Sequence, residues 1–328
     1  MRPFQHSRRT ALAALGGAAL AAGNALAQEA APGFDQRLTP EEIAKRRKDR
    51  VRPLLCVYSG CFAKLPVALL PETVAGMGFD GVDLTVMPGG HVDPSKYMVQ
   101  MDRAFQMFQD ASLEVPMIST TYTSASQPFA YQVFYVSAEF GARFCKLGAF
   151  PPPNTVPGQN PAFRAAILKA DLNQLAASSL QCRITSLIPN HAGSYPGRSM
   201  PELDALMPAA GRAVLGYCFD PAQSVIESRS PDGWESELRV ALPRLGAVSL
   251  ADAGIPAGTP KDQPGVTPAP CPLGEGIIDW KKFFAALREA NFRGPISIRQ
   301  DYQPRNAFAT LTKDLAFARA RIDEAWPV

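Results

Sequence analysis

Histidine is scarce in this 328-residue chain, with three in all, and its six cysteines include no CxxC pair. Six cysteines at this length do not make a disulfide framework. Cys56, Cys145, Cys182 and Cys218 lie in or beside apolar strand candidates, where a thiol serves as a small hydrophobe. Beyond the N-terminus no segment approaches the roughly 20 apolar residues of a membrane helix. A glycine-rich nucleotide-binding motif is missing as well, so nothing calls for NAD or ATP. An excess of charge is the last absence. The chain has 33 basic and 30 acidic residues, but residues 1–27 hold Arg2, Arg8 and Arg9 and no acid, which leaves 30 against 30 in the remainder. A neutral chain argues against nucleic acid as partner, because neutralising phosphates takes a basic surplus.

What is present begins with a leader. Ser7-Arg-Arg-Thr-Ala-Leu12, an apolar run and Ala25-Leu-Ala27 form a twin-arginine signal with an A-x-A cleavage site. The expectation is export by the twin-arginine machinery, cleavage after Ala27, and a periplasmic product with no membrane association. Residues 28–52 read as an extension with a short helix, started by Thr39 as N-cap, Pro40 and Glu42. Without the leader about 300 residues remain, enough for one large core.

The block Cys271 to Tyr302 carries the clearest local pattern. Asp279 caps a helix whose Phe283, Phe284, Leu287 and Ala290 share a face, Gly294 and Pro295 stop it, and an alternating strand follows from Ile296. On that strand Ile296 and Ile298 have one parity, and Ser297, Arg299 and Asp301 the other. With the isoleucines packed under helices, the polar set points inward. Strand candidates fall at 53–59, 80–86, 114–121, 143–149, 182–188, 213–219, 245–251 and 295–301, with helical patterns such as Asp102–Ala111 and Pro161–Ala177 between them. Eight alternations of β and α predict an α/β fold with parallel strands closed as a (β/α)8 barrel over residues 53–328. Two connections rich in proline and glycine, Pro151–Pro161 and Gly254–Gly276, follow strands and so belong to the catalytic face, as a substrate lid or as plain insertions.

Four separated segments, in order, carry a resemblance: Gly78-Phe-Asp-Gly-Val-Asp-Leu-Thr85 with Gly89-Gly-His91, Pro189-Asn-His-Ala-Gly193, Leu215-Gly-Tyr-Cys-Phe-Asp-Pro221, and the final helix–strand block. Together they resemble the xylose isomerase-like TIM-barrel family of sugar isomerases and epimerases. The resemblance implies a divalent ion held by Glu, Asp, His and Glu from the ends of strands five to eight, with the two Glu passing a proton. Here Asp220 stands at the family's Asp, but no Glu occurs between Gln181 and Met200. Ser249 stands at the His position, and Asp301 replaces the last Glu, preceded by Arg299. The thinned set leads us to expect a weakly bound Mn or Mg on Asp220 and Asp301, with His191 as a possible third donor and Arg299 competing for the carboxylates. Only His91 and His191 remain after leader cleavage, too few for the multi-zinc sites of the fold's DNA-repair relatives.

The expected catalytic groups are Asp220, Asp301 and His191, and the expected substrate ligands are Asp83, His91, Lys146, Asn190 and Arg299. Each has a plainer alternative. Asp220-Pro221-Ala222-Gln223 is a good helix start whatever else it does, Asp83 can be a buried partner for Lys146 or Arg299, and a loop histidine is commonly a structural hydrogen bonder. Asp252 shares parity with Val248 and Leu250, outside the lumen, and Glu275 reads as exposed. The chemistry expected is proton abstraction next to a carbonyl of a sugar or keto-sugar derivative, as in an isomerase or epimerase. A keto-sugar lyase or hydratase and a carbohydrate-binding barrel without catalysis are the alternatives.

Overall fold

The computed structural model describes residues 51–151, 161–211, 213–259, 265–304 and 306–327. The expected leader, the helix start at Thr39 and most of the loop Pro151–Pro161 lie outside them. Within them, eight parallel strands hydrogen-bond in a ring: β1 (Leu55–Tyr58), β2 (Gly81–Thr85), β3 (Glu114–Ser119), β4 (Phe144–Lys146), β5 (Thr185–Pro189), β6 (Leu215–Phe219), β7 (Leu245–Leu250) and β10 (Ile296–Ile298), which pairs back onto β1. Each falls inside or across the range its alternation predicts. The ring closes through Leu55↔Ile296, Cys56↔Ser297 and Val57↔Ile298. Among the described residues no helix is long and apolar enough to cross a membrane.

Strand periodicity divides the core in two. Val57, Val82, Leu84, Ile118, Ile188, Phe219, Val248, Ile296 and Ile298 are fully buried in the outer cluster under the helices. Burying one such side chain is worth roughly 1.5–3 kcal/mol. Met117 of β3, Leu187 of β5, Cys218 of β6 and Ala247 of β7 form a separate cluster with Phe144 packed against it, the plug of side chains that fills a barrel of this kind. With both faces covered, the strands are buried almost end to end. All six cysteines are free.

The helices that cover the ring are α1 (Leu70–Met77), α2 (Tyr97–Asp110), α3 (Ala130–Glu139), α4 (Pro161–Cys182), α5 (Met200–Leu206), α6 (Pro221–Ser228), α7 (Gly233–Ala241), α8 (Trp280–Glu289) and α9 (Ala307–Ala325). The start of α8 follows its sequence signal, for the Asp279 carboxylate accepts from Lys282 N at 3.0 Å. Its end differs. The helix stops at Glu289 and Asn291 takes the left-handed turn (φ 54°), so Ala290 is a cap and not part of the buried face. Gly294 is there for another reason: a Cβ at that position would collide with the Gly246 carbonyl oxygen, where the chain re-enters the barrel. Cys182 is a second correction. It ends α4 instead of starting a strand, because the helix runs on past Ala177 and Arg183 breaks it with φ 58°.

The connection after β7 is anchored at its root. Asp252–Gly254 (β8) and Ala269–Cys271 (β9) form a small antiparallel pair. Asp252, which packs outside the lumen as its parity predicts, gathers the segment: its carboxylate accepts from Gly274 N (2.9 Å), Gly276 N (3.2 Å) and Trp280 Nε1 (2.8 Å). Residues 260–264 of this connection lie outside the described set.

Candidate active site at the C-terminal mouth of the barrel

Parallel strands deliver their last inward-facing side chains to one end, and here those ends surround a cavity of about 240 Å³. Tyr58 of β1, Lys146 of β4, Asp220 just after β6, Ser249 of β7, and Arg299 and Asp301 just after β10 line it, with Asn190, His191 and Gln223 on one side. A second hollow of about 290 Å³, lined by Arg143, Gly246 and Arg293, lies at the opposite end, where barrels of this kind carry stability and not chemistry.

Asp220 is the most constrained of the acids. It is 5% exposed, and its Oδ1 caps α6 by accepting from Ala222 N (3.0 Å) and Gln223 N (3.3 Å), with Pro221 at the first helical position. Gln223 does not close a capping box. Its Oε1 accepts from Ala192 N (3.1 Å) and ties α6 to the loop after β5. Burial, with Asp301 as a nearby like charge, pushes the Asp220 carboxyl up to about 7. Both the helix start and the inward acid expected from the sequence are thus present in one residue.

Arg299 and Asp301 form a pair at the other side, with the guanidinium 3.2 Å from Asp301 Oδ1. The Arg299 carbon centre stands 4.5 Å from the ring centroid of Tyr58, and Lys146 Nζ stands 5.8 Å from the same ring. Burial works against the Arg299 charge, but Asp301, Tyr58, Asp220 and Asp83 hold its pKa above the ordinary value. Lys146 is 8% exposed, and burial first and Arg299 second lower its pKa. Tyr58 was not singled out in the sequence. The available signal was its parity with Cys56 at the C-terminal end of the first strand, and burial raises its hydroxyl.

Three expected substrate ligands are committed elsewhere. Asp83 is fully buried, does not line the cavity, and accepts from Ser297 Oγ at 3.0 Å; burial raises its pKa and Lys146 opposes that rise. It is a buried acid bonded to Ser297, and among the described residues it makes no ion pair with Lys146 or Arg299. His91 likewise stays out of the cavity. Its Nε2 lies 3.2 Å from the carbonyl oxygens of both Phe62 and Leu65 and therefore donates, while Nδ1 meets the Thr85 and Ser59 hydroxyls at 3.1 and 3.2 Å. That neutral tautomer agrees with burial lowering its pKa. Asn190 borders the cavity, but its amide links two strand ends: Nδ2 donates to Asp220 O (2.9 Å) and Ser224 Oγ (3.1 Å), and Oδ1 accepts from Asp220 N (2.8 Å). It positions Asp220. His191 lines the cavity with Nδ1 2.8 Å from Ala192 O and its ring 4.3 Å from that of Tyr195.

The donor set does not fit a divalent ion. Among the described residues no three His, Cys, Asp or Glu side chains come together as ligands. Asp220 Oδ1 is engaged by the helix it caps, Asp301 Oδ1 by Arg299, and Ser249 lies 3.3 Å from Cys218 Sγ. What remains is a pocket in which an acid poised near neutrality faces a guanidinium and a buried amine over an aromatic floor, suited to moving a proton while stabilising an oxyanion.

Solved structures with the same architecture have been found repeatedly. An L-ribulose 3-epimerase superposes with a TM-score of 0.63 at 15% identity, over 83% of this chain and 95% of that one. A xylose isomerase-like TIM barrel protein from Mycobacterium smegmatis, in complex with magnesium, gives 0.64 at 14% identity, over 84% and 97%. The apo form of a 3-keto-D-glucoside 4-epimerase from E. coli gives 0.62 at 14%, over 82% and 100%. No curated protein matches the sequence. These identities speak for the fold. The sequence pattern of the xylose isomerase-like TIM barrel runs through residues 71–321 on the closed ring described above, and the chain belongs to that family.

Proposed function

We propose that the protein is a sugar isomerase or epimerase acting on a keto-sugar or a keto derivative of a sugar, and that it moves a proton on the carbon next to the carbonyl. The observation that carries this is Asp220: a carboxyl with a pKa near 7, buried at the mouth of the barrel beside Lys146 and Arg299. Proton transfer is most effective when the group titrates near working pH. Arg299, fixed by Asp301 and the Tyr58 ring, supplies positive charge where the substrate's carbonyl oxygen would lie. His191 and Gln223 border the space where the sugar hydroxyls would lie. The epimerases among the solved structures of this fold give the proposed substrate class its precedent. Export through the twin-arginine route, proposed from Arg8, Arg9 and Ala25-Leu-Ala27, would place the reaction in the periplasm.

The test is solvent deuterium exchange. D-allulose, D-fructose, D-tagatose and a 3-keto-glucoside are incubated with the enzyme in heavy water and followed by proton NMR. Loss of signal at the carbon next to the carbonyl of at least one sugar, slowed about 100-fold or more in Asp220→Asn, is the expected result. Absence of exchange in all of them, or full exchange in the variant, would overturn the proposal.

A further inference from the structure

We propose that Lys146 is a nucleophile that forms an iminium with the carbonyl carbon of the substrate; this rests on the keto-sugar reading above. Among the described residues Lys146 is the one buried lysine, since Lys64, Lys96, Lys169, Lys281, Lys282 and Lys313 are all exposed. It ends β4 and lines the cavity. A buried lysine normally has a carboxylate on it. Here no described carboxylate lies within 4.0 Å of Nζ, and the two that act on it through space, Asp83 and Asp220, are hydrogen-bonded to Ser297 Oγ and to the start of α6. The amine instead sits over the Tyr58 ring, which also carries a guanidinium that cannot lose its own charge. Burial and that guanidinium outweigh the pull of Asp83 and Asp220 and favour the free amine, the form that attacks carbonyls.

The step balances with groups already in the cavity. The Nζ lone pair bonds to the carbonyl carbon and the C=O π pair moves to oxygen, which takes the proton that nitrogen loses. A second proton, from Asp220, leaves with that hydroxyl as water, and the nitrogen lone pair closes the C=N⁺ bond. The iminium draws electrons from the adjacent C–H bond, whose proton passes to the Asp220 carboxylate to give an enamine. Return of a proton to either face and addition of water release the sugar and the amine. The electron sink is then supplied by the chain itself, in a cavity whose donor set fits no ion.

The experiment is reductive trapping. The protein is incubated with D-allulose, D-fructose or dihydroxyacetone and sodium cyanoborohydride, then digested and mapped by mass spectrometry. The expected adduct has the mass of the ketone less one oxygen and sits on Lys146, about tenfold or more above any exposed lysine. Lys146→Arg keeps the length and the N–H donors but cannot form the bond; it should lose the adduct and about 100-fold or more of the deuterium exchange, with an unchanged circular dichroism spectrum. Labelling confined to Lys64, Lys96 and the other exposed lysines would overturn the proposal. Exchange that persists in Lys146→Arg would do so too, and would leave the epimerase reading standing. Trapping at Lys146 without deuterium exchange in any sugar would sink the epimerase reading alone, and absence of both would sink both.

Discussion

Asp220 serves two masters at a single carboxylate, and its charge state decides which matters. A rise of its pKa from 3.8 in the unfolded chain to about 7 in the fold means that ionising it costs the native state stability between those values, on the order of 4 kcal/mol in all. The sign follows: below pH 4 the cost is absent, and it grows as pH climbs to 7. Asparagine caps helices as well as aspartate does and carries no charge. Asp220→Asn should therefore change the melting temperature little at pH 4 and raise it most at pH 8, read by calorimetry. A uniform loss of stability at both pH values would show that the cap, not the charge, dominates. Arg299 allows a second prediction. Protein purified without added metal should be largely free of Mn and Mg by elemental analysis, and Arg299→His should retain more, since it removes a positive charge from Asp301 and adds a donor. Stoichiometric metal surviving dialysis of the unmodified protein against a chelator would refute this. The parity of the last strand made Arg299 and Asp301 visible in the sequence, and the family pattern pointed to Asp220. Parity gives the side of a strand but not the depth in the lumen, which the stagger between strands sets, and so Asp83 looked like a ligand and is buried. The partners of His91, the carbonyls of Phe62 and Leu65, belong to an irregular turn with no pattern to read.

At the level of elements, capping chemistry was the most legible signal. Asp279 and Asp220 start α8 and α6 as their sequences indicate, because an N-cap is satisfied by backbone groups two or three residues on. Ends were less legible. Strand β10 is assigned only through Ile298, short of the predicted 301, because a ladder lasts as long as both neighbours do. The face of α8 is where the outer core is densest: the Phe283 ring contacts those of Trp234, Trp280 and Phe284 edge-on at 5.2, 5.6 and 5.8 Å, and that of Phe219 at 6.4 Å. Phe283→Ala removes the ring common to all four contacts and should cost about 3–5 kcal/mol, measured by urea denaturation. Phe308→Ala, on a half-exposed ring, is the control and should cost far less.

For the whole molecule, the eight-fold alternation of strands and helices was enough to give the architecture, because parallel strands joined by helices have few ways to bury both faces of a sheet. Closure was an expectation, and the β1–β10 pairing supplies it. Replacing Arg8 and Arg9 by lysine should leave the precursor uncleaved in the cytoplasm, read by fractionation and N-terminal sequencing; normal periplasmic yield would exclude the twin-arginine route. The seam between first and last strands adds a constraint of timing. Tyr58 leaves the ribosome early and Arg299 almost last, so a growing chain is an unfinished sheet with two bare edges, a shape that invites pairing with other chains. The contact that hides those edges also completes the floor of the cavity. A molecule with a complete cavity has thereby ceased to be sticky, and on the proposed twin-arginine route a translocase that takes only finished cargo would ship closed barrels and little else.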